Sequence, residues 1–211
     1  MASFDVGGQR AYYGLTKENL RAHELIPDLP LIITWDFNAT VKPMSVTIGQ
    51  ERADGTYWYK SLSHTYTNTE TMCKLIDQEI ETWGFYPSRI HFYGDYNGGK
   101  NTSNSSRSDW DHIEMHFNGK ARIEKRVRNC ERVRDRVACT NARICNMLGE
   151  RRMFVHPDNC RPLIEDYERV QWKENGAELD QDKDPKRTHN SDSVDYYNHI
   201  EFPIKPRTRR V

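Results

Sequence analysis

The stretch that most constrains the fold is Leu31-Ile-Ile-Thr-Trp-Asp36-Phe-Asn38, an apolar run that ends in an acid. A half-exposed strand would alternate apolar and polar residues, so this run predicts a strand buried on both faces. A carboxylate closing such a strand is costly unless a cation, a hydrogen-bond network or a metal holds it there. A turn-starting Asp capped by its own backbone is the plainer alternative. A second strand that ends in an acid, Ser88 to Asp95, and a third acid near a helix start, Asp192, favour the costlier reading.

At 211 residues the chain has room for one domain with a full core, and residues 1–211 are read as a single unit. Charged residues make up 29% and aromatic residues 11%, with a mean hydropathy of −0.91. That is a polar chain, yet too aromatic for disorder. No apolar run is long enough to span a membrane, and the first residues lack the basic start and apolar core of a secretory leader, so a reducing cytoplasm is expected. The five cysteines are an odd number without a C-x-x-C pair, which fits neither a disulfide framework nor a zinc knuckle. The formal charge of zero hides a segregation: from Gly119 to Arg152 there are eleven Lys/Arg against four Asp/Glu, and from Leu163 to Glu201 five against eleven. One part could face a polyanion while another holds cations, or both could be solvated helix faces.

Residues 1–30 read as a lead-in, followed by the Asp36 strand. Met44, Val46 and Ile48 alternate, Ala53-Asp-Gly55 marks a turn, and a third strand runs to His64, giving an antiparallel meander. Thr69 to Trp83 changes to helical spacing at Met72, Ile76, Ile80 and Trp83, with a cap at Asn68 or Thr69. A strand returning after such a crossover lies parallel in the same sheet, so Asp95 would share an edge with Asp36. Asn97 to Ser108 is a polar, Gly-led loop beside the acids. Asp109 to Phe117 predicts a short helix and Ala121 to Val127 a basic strand. Cys130 to Leu148 predicts the longest helix, with Arg132, Arg136 and Arg143 off its apolar stripe. Arg151 to His156 predicts a last strand, and Cys160 to Trp172 a helix. Residues 174–190 form an exposed acidic loop, Ser191 caps a final helix with Asp192 in its first turn, and residues 203–211 are a basic tail.

If Asp36, Asp95 and Asp192 converge, they cannot all stay ionised without cations. Hard oxygen ligands select Mg²⁺ or Mn²⁺, and a pair of ions ~4 Å apart suits in-line attack on a phosphodiester. A rival sits on the same residues: Gly94-Asp-Tyr-Asn-Gly-Gly99-Lys100-Asn101 nearly matches the phosphate-binding G-x-x-x-x-G-K-[ST] loop. Against it, Asn101 replaces the magnesium-binding hydroxyl, Asp95 would point charge into an anion cradle, and a Ser/Asn-rich loop follows where a helix is required. His112-Ile-Glu114-Met-His116 has its Glu at the wrong position for a zinc protease and reads as two surface histidines.

The order of elements is that of the ribonuclease H-like fold, an α/β mixed sheet of antiparallel meander plus parallel strands flanked by helices. Ile33-Thr-Trp-Asp-Phe-Asn38 followed by Pro43-Met44, Tyr93-Gly-Asp95 before a Ser-rich loop, and Thr188-His-Asn-Ser-Asp192-Ser-Val-Asp-Tyr196 resemble the C-terminal nuclease domain of tailed-bacteriophage large terminase subunits, from about Ala11 to Pro203. The resemblance implies that Asp36, Asp95 and Asp192 bind two divalent ions, Mg²⁺ or Mn²⁺, that His189 assists the third acid, and that duplex DNA in concatemers is cut during packaging. Ser193 stands where the family usually has Ala, a change close in size. The resemblance further implies the small terminase subunit, the portal and the ATPase domain of a full-length subunit as partners, in the cytoplasm of an infected or lysogenic bacterial host. This chain shows no credible phosphate-binding loop and no room for that ATPase domain, so it looks like the nuclease domain alone. Lys100, Arg122, Lys125, Arg126, Arg128, Arg132 and Arg136 are the expected DNA contacts. The alternatives are another ribonuclease H-like nuclease, such as a junction resolvase or ribonuclease H, and a non-catalytic DNA-binding module on the same fold.

Overall fold

Strand β1 (Leu31–Asp36) is buried at every position and lies inside a six-stranded sheet. The computed structural model describes residues 9–99, 107–130, 132–174, 178–182 and 184–204. Burial on both faces follows from the pleat: Leu31, Ile33 and Trp35 enter one core, Ile32 enters the other, and Thr34 donates to Ser193 Oγ at 3.1 Å on that second side. Strands β2 (Met44–Arg52) and β3 (Gly55–His64) complete the expected antiparallel meander. Strand β4 (Arg89–Gly94) returns parallel to β1, with Trp35 opposite Gly94. The short β5 (Arg122–Lys125) pairs parallel with β4, and β6 (Met153–Val155) parallel with β3.

Helices cover both faces, so the architecture is a three-layer α/β sandwich. On one face lie α1 (Thr69–Glu81) and α2 (Asp109–Phe117), each started by a side-chain cap, from Asn68 and Ser108 respectively. Met72, Ile76 and Ile80 of α1 and Trp110, Ile113 and Phe117 of α2 pack against Ile33, Trp35, Val46 and Phe92 of the sheet. On the other face lie α3 (Val133–Ile144), α4 (Arg161–Arg169) and α5 (His189–Glu201). Helix α5 is the innermost: eleven of its thirteen residues are buried, and it packs on β1, β2 and β4.

Several expectations need correction. Helix α3 is shorter than 130–148, because the chain turns extended at Cys145 and Asn146 then folds a turn, its side chain accepting from Leu148 N and Glu150 N. Leu148 is left exposed. Ser191 is not the cap of α5. The helix begins at His189 after Thr188, and Ser191 lies within its first turn. The exposed loop therefore ends before residue 188, since Thr188, His189 and Asn190 are all buried, and Leu179 inside the loop is buried as well. The segment before β1 is more than a lead-in. Ala11 and Tyr12 are buried, Ala11 N donates to Val170 O at 3.0 Å, and the Asn19 side chain donates to the carbonyls of Ile144 and Met153 at 2.9 Å each. Buried polar anchors of this kind leave no periodic signal. Residues 1–8, 100–106 and 205–211 lie outside the described residues, and with them Lys100 and most of the basic tail.

Candidate active site

Asp36 closes β1 and Asp95 follows Gly94 at the end of β4, so the parallel register that sets Trp35 beside Gly94 brings both acids to the same end of neighbouring strands. Gly94 is required there: a Cβ at that position would stand 2.6 Å from Trp35 O and 3.2 Å from the Trp110 ring. Asp95 then turns the chain, its Oδ1 accepting from Asn97 N at 2.9 Å, while Trp110 Nε1 donates to its carbonyl at 3.1 Å. Asp36 points to the α5 face. Its Oδ2 accepts from Asn38 Nδ2 at 2.8 Å and lies 2.8 Å from His189 Nδ1.

The third acid comes from α5, whose start is held by residues far away in sequence. Thr188 takes a left-handed conformation (φ 80°), which is strained for a β-branched residue. Gln181 Nε2 donates to its Oγ1 at 2.8 Å. Asp166 of α4 accepts the N–H groups of Asn190 and Ser191 at 3.0 and 3.1 Å, doing for this helix what a local cap does for α1. Burial pushes the Asp166 carboxyl up to about 7, against the Ser191 N–H and Arg187, which favour the ion.

One turn into the helix, Asp192 is 8% exposed. Its Oδ1 accepts from Arg136 Nη2 of α3 at 3.2 Å. Burial raises its pKa; Arg136 opposes that shift, and the nearby Asp36 charge adds to it. His189 stands against Asp36 alone of these acids: Nδ1 lies 2.8 Å from its Oδ2, and Nε2 lies 3.0 Å from Pro185 O. Burial opposes a charge on the ring, but the hydrogen bond to Asp36 and its charge outweigh burial, and the His189 pKa is raised. Asn38 Nδ2 also lies 3.2 Å from Nδ1, so Asp36, Asn38 and His189 form one network.

All three acids thus stand at the ends of β1, β4 and the first turn of α5, and each is already engaged: Asp36 with His189 and Asn38, Asp95 with Asn97, Asp192 with Arg136. Among the described residues no three His, Cys, Asp or Glu side chains close around one point tightly enough to hold a metal ion as they are. The donors fit a hard divalent cation in kind, being carboxylate oxygens brought together from separate elements.

The basic residues separate. Arg122, Arg128 and Arg132 are exposed. The Cys130 carbonyl accepts from the same Arg136 guanidinium that reaches Asp192, which ties residue 130 to the third acid. Arg122 pairs in register with Arg89 at the start of β4, the end opposite Asp95. Lys125 is ion-paired with Glu114, and Arg126 with Glu124 and Glu201 at 2.9 and 3.1 Å. Arg136 corrects the expectation most sharply: it is 7% exposed and points into the acidic site, because Asp192 and the Cys130 carbonyl, 2.7 Å from its Nη1, draw it inward. Asp166 and Arg136 were the residues missed as parts of the site. Asp166 had a signal, since it falls on the inward stripe of α4 with Leu163 and Tyr167.

No family model matches this chain, and no curated protein sequence matches it. Solved structures do. The chain is similar to the large terminase of a thermophilic bacteriophage (TM-score 0.64, 12% identity), over 92% of this chain and 45% of that one. It is similar to the P22 large terminase nuclease domain (TM-score 0.59, 12% identity), over 92% and 91% of the two chains. It is also similar to the large terminase nuclease of another thermophilic phage, G20c, with bound magnesium (TM-score 0.53, 9% identity), over 90% and 95%. The chain spans less than half the length of the first of these terminases and nearly all of the two nuclease domains. At these identities the likeness shows the fold, the ribonuclease H-like α/β sheet expected from the order of elements.

Proposed function

We propose that this chain is a divalent-metal-dependent endodeoxyribonuclease, the nuclease part of a viral DNA-packaging terminase that cuts concatemeric duplex DNA. The observation that carries the reading is the meeting of Asp36 and Asp95 at the ends of adjacent parallel strands, with Asp192 delivered to the same face by a helix packed on β1. The magnesium found in the G20c nuclease supports the metal. Asp36, Asp95 and Asp192 would hold two Mg²⁺ or Mn²⁺ ions, which supply an activated water and stabilisation of the leaving oxygen when bound. His189 orients the Asp36 carboxylate and holds a proton at Nδ1. Arg128 and Arg132, both exposed, bind backbone phosphates, with Arg122 farther along the sheet and Lys100 completing the set. Lys125 and Arg126 join them where phosphate replaces the carboxylates they hold now. Small terminase subunit, portal and an ATPase domain are the partners this role requires, in the cytoplasm of a bacterial host.

The test is cleavage of supercoiled plasmid with Mn²⁺, Mg²⁺ and chelator. Cutting should need metal, vanish in Asp36→Ala and Asp95→Ala, and weaken less in His189→Ala. Four-way junctions and RNA/DNA hybrids run alongside would show a resolvase or ribonuclease H instead, and DNA binding without any cutting would show a non-catalytic module.

A further inference from the structure

Asp192 accepts a hydrogen bond from a protein cation at the position where a metal ligand must be free. Arg136 reaches it from α3, with Nη2 at 3.2 Å from Oδ1. The same guanidinium donates through Nη1 to Cys130 O at 2.7 Å and lies over the Tyr196 ring, 4.6 Å from its centroid, while its Nε has no partner among the described residues. Asp36 is faced in the same way by His189, whose Nδ1 lies 2.8 Å from its Oδ2. Both acids are therefore engaged from inside the protein.

We propose that Arg136 is an internal counter-ion that occupies Asp192 in the metal-free protein and yields it when a divalent ion arrives. This inference rests on the metal-holding role of Asp192. A buried pair broken by removing one partner leaves an uncompensated charge, so a cation at Asp192 stabilises the fold. Arg136 is that cation until the metal replaces it. The Cys130 carbonyl and the Tyr196 ring give the guanidinium a place to stay when Nη2 lets go, so release is a small rotation about two retained contacts rather than exit into solvent.

A cation in competition with the metal lowers the metal's affinity by the cost of displacing it. Isothermal titration of Mn²⁺ into the parent, Arg136→Gln and Arg136→Lys reads this directly, without DNA and without activity. Arg136→Gln should bind Mn²⁺ about tenfold more tightly, ~1.4 kcal/mol, whereas Arg136→Lys, which keeps the charge, stays near the parent. Unchanged affinity in Arg136→Gln overturns the proposal, and weaker binding overturns it in favour of an arginine that holds Asp192 in its ligating position. A parent that binds no Mn²⁺ overturns the metal reading itself, and this proposal with it. Should Arg136→Gln not fold, the parent carries the test. The guanidinium N–H signals of Arg136 in ¹⁵N nuclear magnetic resonance, slowed by the ion pair, should change to those of an unpaired arginine during a Mg²⁺ titration, and signals that do not move while Mg²⁺ binds overturn the proposal.

Discussion

Replacing Asp166 by Asn tests how the start of α5, and with it the placing of His189 and Asp192, is held. Asp166 Oδ2 accepts two backbone N–H groups of that helix, and Arg187 Nη1 is 3.8 Å from Oδ1. Burial is the largest influence on the carboxyl and lifts its pKa from 3.8 to about 7 despite those partners. In the unfolded chain the group ionises at its ordinary value. Across the window from 3.8 to about 7 the folded protein therefore keeps a proton that the unfolded chain has released, and stability falls as pH rises through it; above the folded value the loss is complete. At roughly 1.4 kcal/mol per pH unit, the span from about pH 5 to about pH 7 corresponds to ~3 kcal/mol. Asparagine keeps the size and an acceptor for the N–H groups but cannot ionise. Urea unfolding of parent and Asp166→Asn at about pH 5 and about pH 8 should show the variant gaining on the parent by ~3 kcal/mol over that range. If the parent instead gains on the variant as pH rises, the two N–H groups and Arg187 hold the carboxylate ionised and burial does not control it.

Three further outcomes are expected. Asp36→Asn and Asp95→Asn should abolish plasmid cleavage while leaving the circular dichroism of the fold unchanged, and the parent rate in either variant would remove that residue from the site. Gly94→Ala should cost about 1–3 kcal/mol in thermal or urea unfolding, because its Cβ meets β1 backbone that cannot move aside; an unchanged melting temperature would mean that β4 can shift. For DNA binding measured over a salt series with Ca²⁺ in place of the catalytic metal, Arg128→Ala combined with Arg132→Ala should lower the log-log salt slope by nearly two, at about 0.9 per phosphate contact. An unchanged slope would show that these arginines only solvate their segment.

The sheet was legible because its evidence is local. The two-sided apolar run of β1, the Asp-Gly turn between β2 and β3, and the switch to helical spacing at Met72, Ile76 and Ile80 each state their structure within a dozen residues. The start of α5 was not legible in this way. Ser191 looks like a cap by type, yet the first-turn N–H groups are met by Asp166, 24 and 25 residues away, so a tertiary contact does the work a local side chain would otherwise do. The end of α3 failed for a related reason: the apolar stripe continues to Leu148, but the Asn146 side chain offers the backbone better partners in a turn.

Charge was the least legible quantity, because a count along the chain cannot say which charges are already matched. Of the arginines in the basic segment, Arg126, Arg143 and Arg151 pair with Glu201, Glu51 and Glu18 at 3.1, 2.9 and 2.6 Å, and Arg136 is committed to Asp192. The free positive surface is therefore much smaller than the excess of eleven basic over four acidic residues suggests, and it narrows to exposed positions such as Arg122, Arg128 and Arg132. The same matching shows how acids can stand close together in this fold. Asp36 and Asp192 are held by His189 and Arg136, one basic side chain for each acid, and both basic side chains come from helices on the face where the acids point. On the proposed reading, a divalent ion entering this site would compete with Arg136 for Asp192 rather than fill an empty negative cavity, which is why its affinity should respond to Arg136 before it responds to any change in the acids' surroundings.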